Sequence, residues 1–243
     1  MVKTFDAAFP RGNCPIHAFG PLEVRSVPVL LFFPDAFGPR PASFAVAEEL
    51  AGQGLRVLML DPFYEHIPYE PIEPKSIFER GARHDRLMAL FGSIDQAKID
   101  ADAAAMIALA AAHSEPGVPF AAVGYCMGGR YVLTAACASE RVRLAAAFHA
   151  SNLAPAEGDS AHHRLAAAKG RIYIGVAGND PTYDAEEHGR LARALRAADT
   201  DHVIETYHGS AHGWVFPDIP IYDPAAAARH MRRLQQNLAE TMG

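Results

Sequence analysis

The residues with the clearest chemical potential are a cysteine, an aspartate and a histidine that follow one another along the chain. Cys126 lies in the hexapeptide GYCMGG, between an apolar run typical of a strand and a segment with helical spacing. A glycine-flanked nucleophile at such a strand-to-helix turn forms a nucleophile elbow, in which the glycines permit close backbone contact. The turn would present the thiol at the N-terminus of a helix, whose dipole favours the thiolate. The sequence therefore predicts that Cys126 is a nucleophile, with the amide of Met127 as one oxyanion donor.

The aspartate and the histidine each follow a later apolar run. Asp180 comes after RIYIGVA in a Gly-Asn-Asp-Pro turn, and His212 comes after HVIETY in HGSAHGW. A nucleophile, an acid and a histidine in this chain order are the arrangement of a catalytic triad on a sheet. His212 would act first as base and then as acid, while Asp180 would orient the imidazole and stabilise its charged form. Taken singly, an aspartate in such a turn also fits ordinary turn chemistry.

The elements that must position these residues are short strands alternating with helices. Continuously apolar runs predict strands at 27–33, 55–60, 119–125, 143–148, 171–177 and 202–207. Helical spacing predicts helices at 44–54, 98–113, 129–139, 184–198 and 223–241. Apolar strands that alternate with helices predict an α/β domain, a mostly parallel sheet with helices on both faces.

Two segments fall outside this alternation within the single domain expected over residues 1–243. Residues 1–20 show no sustained period, and we expect them to form an N-terminal arm laid over the domain. Residues 62–95 are longer than a simple connection, rich in proline at first and helical later. Loops of this length inside a domain are often functional, so this segment is predicted to be an insertion near the active-site entrance.

Composition limits the classes of function. The 243 residues include 28 acidic and 22 basic side chains, and the net charge of −6 argues against nucleic-acid binding. No apolar run approaches the roughly 18 residues of a membrane span, and the N-terminus lacks a signal-peptide pattern, so we expect a cytoplasmic protein without membrane partners. The three cysteines lack metal-binding spacing, the histidines form no ligand pair, and no phosphate-binding glycine loop occurs. Neither a metal nor a cofactor is expected.

The sequence resembles the dienelactone hydrolase (carboxymethylenebutenolidase) family of the α/β-hydrolase superfamily. The segments GYCMGG, GNDP and SAHGW match the cysteine elbow, the acid turn and the histidine turn of that family. The resemblance extends from about residue 22 to the C-terminus and implies a single-domain α/β-hydrolase fold. It also implies that a thiolate attacks a lactone or activated ester and that the acyl-enzyme is hydrolysed without metal or cofactor.

The resemblance further implies roles for the loop after the strand at 27–33. Family members carry a glutamate here that contacts the resting thiol and shifts when substrate binds. Its counterpart is Asp35, whose side chain is one methylene shorter. By the same analogy, the amide of Ala36 is the second oxyanion donor and Phe37 belongs to the substrate pocket.

Substrate specificity is where the sequence departs from the family. Its members bind a substrate carboxylate with one arginine before the elbow and another shortly after the catalytic histidine. The segment FERGARHDR could supply the first, with Arg83 as the candidate, but no arginine follows His212 closely. Trp214 and Phe216 occur there instead and, with Tyr125, predict an apolar pocket wall for a less anionic or more hydrophobic acyl group.

Several alternatives remain open from the sequence. The expected enzyme acts on a small-molecule ester or lactone, as a monomer or dimer, and a thioesterase or general carboxylesterase is a close variant. A non-catalytic ligand-binding protein could retain the elbow as architecture only. A redox sensor could oxidise Cys126 reversibly, but it would need a resolving thiol, and neither Cys14 nor Cys137 is obviously placed for that role.

Overall fold

The central element of the fold is a sheet of eight strands. The computed structural model describes residues 2–242, apart from the side chain of Ser76. The strands are β1 (Lys3–Phe9), β2 (Gly12–Phe19), β3 (Val29–Phe33), β4 (Arg56–Leu60), β5 (Phe120–Tyr125), β6 (Val142–Phe148), β7 (Arg171–Asn179) and β8 (His202–Ala211). They lie in the order β1-β2-β4-β3-β5-β6-β7-β8, and the strands from β4 to β8 pair in parallel. The mostly parallel sheet predicted from the sequence is confirmed.

Helices cover both faces of this sheet. They are α1 (Pro41–Ala51), α2 (Ala82–Gly92), α3 (Gln96–Ala112), α4 (Gly128–Ala138), α5 (Ala185–Ala197) and α6 (Pro224–Met242), with short 3-10 helices at Tyr64–His66, Pro74–Phe78 and Ala161–Ala167. α1 and α6 bury Leu50 and Leu234 on one face, whereas α3, α4 and α5 bury residues such as Met106 and Leu191 on the other. No helix within residues 2–242 is long and apolar enough to cross a membrane.

The central strands are apolar throughout because helices enclose them from both sides. Every residue of β3 (VLLFF) and of β5 (FAAVGY) is buried. A half-exposed strand would alternate apolar and polar residues, whereas a strand buried on both faces need not. This property made the strands recognisable, and the predicted ranges differ from the observed ones mainly at their ends. The largest difference is β8, which continues past the predicted end at residue 207 to Ala211.

The N-terminal residues join the sheet and do not form the arm laid over the domain that we expected. β1 and β2 form an antiparallel hairpin, and β2 also pairs antiparallel with β4, so the segment extends the sheet and β1 forms its edge. Cys14 and Ile16 of β2 point inward and are fully buried. Only a few positions of β2 face inward, and a proline, which is unusual in strands, lies between two of them. The alternation of apolar and polar residues is therefore too short to indicate a strand from the sequence alone.

Close backbone contact defines the turn from β5 to α4. A Cβ atom added at Gly124 would lie 2.3 Å from the carbonyl oxygen of Gly128, and one added at Gly128 would lie 2.2 Å from that of Phe33. Real Cβ atoms do not approach backbone oxygens so closely, and both contacts are with backbone rather than with a flexible side chain. The glycines therefore allow α4 to begin directly against β3 and β5.

The substitution Gly128→Ala is expected to destabilise the protein by about 3 kcal/mol, because the carbonyl groups of Phe33 and Pro34 cannot retreat without distorting β3. Urea denaturation followed by circular dichroism measures this change. The matched control is Gly92→Ala at the end of α2, where an added Cβ meets nothing within 4 Å. It should change stability by less than about 1 kcal/mol, in the stabilising direction. Equal unfolding midpoints for the two variants would contradict the packing argument.

Candidate active site

Cys126 occupies the tip of the turn between β5 and α4. Its φ of 53° lies in the left-handed region, which a non-glycine residue adopts at a cost of about 1–2 kcal/mol. Two hydrogen bonds hold this conformation: its amide donates to the Phe148 carbonyl at 3.1 Å, and its carbonyl accepts from the Gly129 amide at 3.1 Å. Because α4 begins at Gly128, the thiol lies at the positive end of that helix dipole.

Asp180 and His212 are joined by a short hydrogen bond. The Nδ1 atom of His212 lies 2.7 Å from Oδ2 of Asp180, directly beyond the ends of β8 and β7 respectively. The other carboxylate oxygen accepts from the Thr182 amide at 2.9 Å and from its hydroxyl at 2.6 Å. Burial alone would raise the pKa of Asp180, but these hydrogen bonds from His212 and Thr182 lower it below its usual value. Thr182 was not identified from the sequence, although an aspartate followed two residues later by threonine is a common turn signal.

His212 interacts with both of the other predicted residues. Burial would lower the pKa of His212, but the negative charge and hydrogen bonding of Cys126 and the contact with Asp180 outweigh burial and raise it to about 10. The ring is therefore held in its charged form between a sulfur and a carboxylate. The structure thus brings together Cys126, Asp180 and His212, the three residues that the sequence singled out for a triad.

Two backbone amides near Cys126 are candidates for oxyanion donors. Met127 is the N-cap of α4, and Ala36 lines a cavity together with Cys126. Within residues 2–242, neither amide donates to a backbone carbonyl. Free amides beside a nucleophile can stabilise an oxyanion that forms there.

Asp35 has a different partner from the one expected by resemblance. Arg40 donates to its two carboxylate oxygens at 2.7 and 3.0 Å, and the Phe37 amide donates to Oδ1 at 3.0 Å. No hydrogen bond joins Asp35 to the Cys126 thiol in the described part of the chain. The carboxylate is buried and hydrogen-bonded within its own loop, to Arg40 and the Phe37 amide rather than to the resting thiol.

An apolar cavity of about 510 Å³ opens onto the triad. Residues on its walls come from both connecting segments and strand ends: Asp35, Ala36, Phe37, Ile77, Phe78, Leu87, Met88, Phe91, Cys126, His149, Ser151, Asn179, Pro181, Thr182, Ala211, His212, Gly213, Ile219 and Ile221. Five of them, from Ile77 to Phe91, belong to the 62–95 segment that the sequence placed at the entrance. Among the described lining residues outside the triad, Asp35 is the only one with an acidic or basic side chain ionised at neutral pH, and it is already paired.

The predicted pocket residues divide into three groups. Phe37 lines the cavity, as expected. Tyr125, Trp214 and Phe216 are fully buried in the core beneath it and do not line it. Arg83 also lies outside the cavity, because its guanidinium donates to Glu73 at 3.2 Å on the surface. Sequence position alone could not give these directions, since each depends on how a loop or helix turns its side chains.

His149 is a site neighbour that sequence reasoning did not place. It follows β6 with a φ of 39°, and its ring lies 5.4 Å from the ring of His212 and 5.0 Å from that of Trp214. Burial and the neighbouring His212 keep the pKa of His149 well below its usual value, so the ring is neutral. A neutral imidazole can pack against the charged His212 without adding repulsion.

The site offers no obvious place for a metal ion. Among the described residues, no three His, Cys, Asp or Glu side chains are grouped closely enough to coordinate one. The arrangement instead combines a thiol, a base oriented by an acid, and free amides. These are the components of nucleophilic acyl transfer.

The pKa of His212 is expected to depend on the Cys126 sulfur. In the wild type it should titrate near pH 10, and Cys126→Ala should lower its pKa toward the ordinary value of about 6.5 by removing a negative charge. Nuclear magnetic resonance of ¹³C-labelled histidine across the pH range measures both values. Cys137→Ala, which removes a thiol farther along α4, should leave the His212 titration unchanged. The same titration in Cys126→Ala and in the wild type would refute the pairing.

Comparison with known proteins identifies the family and the fold of this chain. The profile of the dienelactone hydrolase family matches residues 16–242. A dienelactone hydrolase-like promiscuous phosphotriesterase from metagenomic libraries is 22% identical, with 100% of this chain and 99% of that chain covered and a TM-score of 0.77. Esterase 2 of Thermogutta terrifontis is 18% identical, with 98% of this chain and 94% of that chain covered and a TM-score of 0.69. No curated protein is significantly similar in sequence. The chain therefore belongs to the dienelactone hydrolase family and has the α/β-hydrolase fold of these structures.

Proposed function

We propose that this protein hydrolyses an uncharged carboxylic ester or lactone through a covalent thioester on Cys126. Family membership supports an ester-hydrolysing enzyme, and one observation supports the finer assignment. His212 is held by Asp180 at 2.7 Å and interacts with the Cys126 sulfur at the floor of an apolar cavity. A thiolate beside an imidazolium is a strong nucleophile whose proton is already on the group that must later donate it.

The first half of the reaction transfers the acyl group to sulfur. The Cys126 thiolate attacks the carbonyl carbon, and the carbonyl electron pair moves onto oxygen, where the amides of Met127 and Ala36 stabilise the negative charge. When the carbonyl re-forms, the bond to the alcohol oxygen breaks. That oxygen takes the proton from His212, so the alcohol leaves neutral and the imidazole is left neutral beside the thioester.

The second half returns the enzyme to its starting state. Neutral His212 removes a proton from a water molecule as the water oxygen attacks the thioester carbonyl. Collapse of the second tetrahedral intermediate breaks the carbon–sulfur bond and releases the carboxylic acid. The thiolate and the imidazolium are restored, and Asp180 stabilises the imidazolium each time it forms because its carboxylate stays on Nδ1.

The cavity favours a substrate without charge. Its walls are mostly aliphatic and aromatic, and an acyl group gains about 25 cal/mol for each Å² of apolar surface buried there. Two arginines of the 62–95 segment pair with carboxylates on the surface: Arg83 with Glu73 at 3.2 Å and Arg86 with Glu70 at 3.1 Å. A substrate carboxylate would therefore lose its hydration without finding a cation on the wall other than His212, which Cys126 and Asp180 already engage.

The redox-sensor alternative is disfavoured by distance. Cys14 lies on β2, three strand spacings from β5, which is roughly 14 Å at about 4.8 Å per strand. Cys137 lies near the far end of α4, about 16 Å along a helix that rises about 1.5 Å per residue. Disulfides need Cα atoms about 4.4–6.8 Å apart, so neither thiol can resolve an oxidised Cys126 within the chain.

Acylation should be confined to Cys126. When wild-type protein is mixed with p-nitrophenyl butyrate and quenched, intact mass spectrometry should show one butyryl group, and peptide mapping should locate it on that residue. Cys126→Ala and His212→Ala should each lower kcat/KM by at least about 10³-fold, because both groups act in the same step.

The matched control for this experiment is Cys137→Ala, which should be acylated and turn over like the wild type. A thioester substrate measured in parallel separates a thioesterase from an ester or lactone hydrolase by the ratio of kcat/KM values. Absence of both adduct and turnover with every substrate would refute hydrolysis and favour a ligand-binding protein.

A positive charge on the cavity wall should change substrate preference. Met88 lines the cavity and is 42% exposed, so Met88→Arg can place its guanidinium at the entrance without burying it. We expect the ratio of kcat/KM for mono-p-nitrophenyl succinate to that for p-nitrophenyl butyrate to rise about three- to tenfold, as one partly exposed ion pair allows.

Arg83→Ala is the control for this change in preference. It removes an arginine that the sequence suggested for the pocket but that pairs with Glu73 on the surface, so the ratio should stay within about twofold of the wild type. A large fall in the ratio for Arg83→Ala, or no rise for Met88→Arg, would show that the cavity is not where the acyl group binds.

A further inference from the structure

The Arg40 side chain connects two loops that border the active site. It is 8% exposed and precedes α1 directly. Toward one loop, Nη1 and Nη2 donate to the two oxygens of Asp35 at 2.7 and 3.0 Å. Toward the other, Nε and Nη2 donate to the two oxygens of Asp218 at 2.7 and 3.3 Å. The guanidinium therefore forms a two-sided clamp between carboxylates far apart in sequence.

This clamp leaves the guanidinium no donor for a substrate. A guanidinium has five N–H groups, and the remaining one from Nη1 is directed to the Gly38 carbonyl at 3.3 Å. The guanidinium also packs over the rings of Phe37 at 5.3 Å and Phe216 at 4.7 Å. A role in binding a substrate anion is thus excluded in this arrangement, and the role of Arg40 must be exerted through the loops that it holds.

Each clamped loop carries part of the proposed machinery. Asp35 immediately precedes Ala36, and the Phe37 amide folds back onto Oδ1 of Asp35 at 3.0 Å, so the carboxylate sets the course of the backbone on both sides of the Ala36 amide. Asp218 lies in the segment that follows His212, next to Ile219 on the cavity wall. A displacement of the Asp35 loop would move an oxyanion donor relative to the nucleophile, and the Asp218 loop is tied to it through Arg40.

We propose that Arg40 is a positioning residue that fixes the Ala36 amide at the distance from Cys126 that an oxyanion requires. The inference rests on the proposed function, since only acyl transfer creates that oxyanion. Donors stabilise a transition state only when they already stand at the right place, and a displacement of a few tenths of an ångström removes much of their effect. Arg40 pairs with both oxygens of the buried Asp35 carboxylate and neutralises its charge, which no neutral side chain at position 40 could do.

The test compares two reactions of the same thiol. Acylation of Cys126 by p-nitrophenyl butyrate passes through an oxyanion, whereas alkylation by iodoacetamide is a direct displacement at carbon without one. In Arg40→Gln, the acylation rate constant should fall about 10- to 100-fold, while the alkylation rate constant should stay within about twofold. Arg40→Lys keeps the positive charge but loses the paired N–H donors of the guanidinium. Its acylation rate constant should lie between those of the wild type and Arg40→Gln.

Further variants keep the test decisive. Asp218→Asn weakens the clamp at its partly exposed end and should reduce the acylation rate more than the alkylation rate. This variant keeps the test possible if Arg40→Gln fails to fold. Arg83→Ala, which removes a surface arginine from a carboxylate, should change neither rate. Equal losses of acylation and alkylation would mean that Arg40 merely supports the fold around Cys126, and no loss of either would overturn the proposal. A wild-type protein that alkylates but never acylates would instead refute the proposed function, and this inference with it.

Discussion

The close backbone contact between β5, β3 and the start of α4 is the constraint on which the rest of the structure depends. Gly124 and Gly128 face backbone oxygens at distances that leave no room for a side chain. This contact forces the residue between them into a left-handed conformation, with a φ of 53° at Cys126. The conformational cost, on the order of 1–2 kcal/mol, is offset by the buried strands on either side, which hold the turn in one geometry. The thiol is thereby presented at the end of the sheet rather than within it.

Parallel strand pairing brings the remaining groups to the same end. β5, β7 and β8 run in the same direction, so the residues that follow them emerge together although they are far apart in sequence. The pairing of Asn179 with Ala211 aligns the last residues of β7 and β8, which puts Asp180 and His212 side by side. Their hydrogen bond of 2.7 Å then follows from strand register, and Thr182 fixes the remaining carboxylate oxygen.

The sequence predicted those features that depend on local patterns and on chain order. Continuous apolar runs indicated the central strands, and the glycine pattern around Cys126 indicated the turn, because both are short-range consequences of burial and backbone contact. The β1–β2 hairpin was not predicted because few of its positions face inward and Pro15 interrupts them. The role of Arg40 was not predicted for another reason. Its partner Asp218 is 178 positions away, and no local sequence pattern indicates such a pairing. The direction of the Trp214 ring is likewise set by packing against Tyr207 at 4.6 Å, which sequence position does not specify.

The distribution of charge explains why the cavity is apolar although many charged residues surround it. Asp35 would be costly to bury alone, but Arg40 pairs with both of its oxygens, and Asp218 balances the second face of the guanidinium. On the entrance side, Arg83 and Arg86 turn outward to Glu73 and Glu70 rather than toward the cavity. These charges are thus neutralised behind or outside the wall, and at the cavity itself His212 is paired with Asp180. In this low-dielectric surrounding, the attraction between the Cys126 sulfur and the His212 ring is stronger than it would be in water, which is what holds the imidazole protonated against the opposing effect of burial.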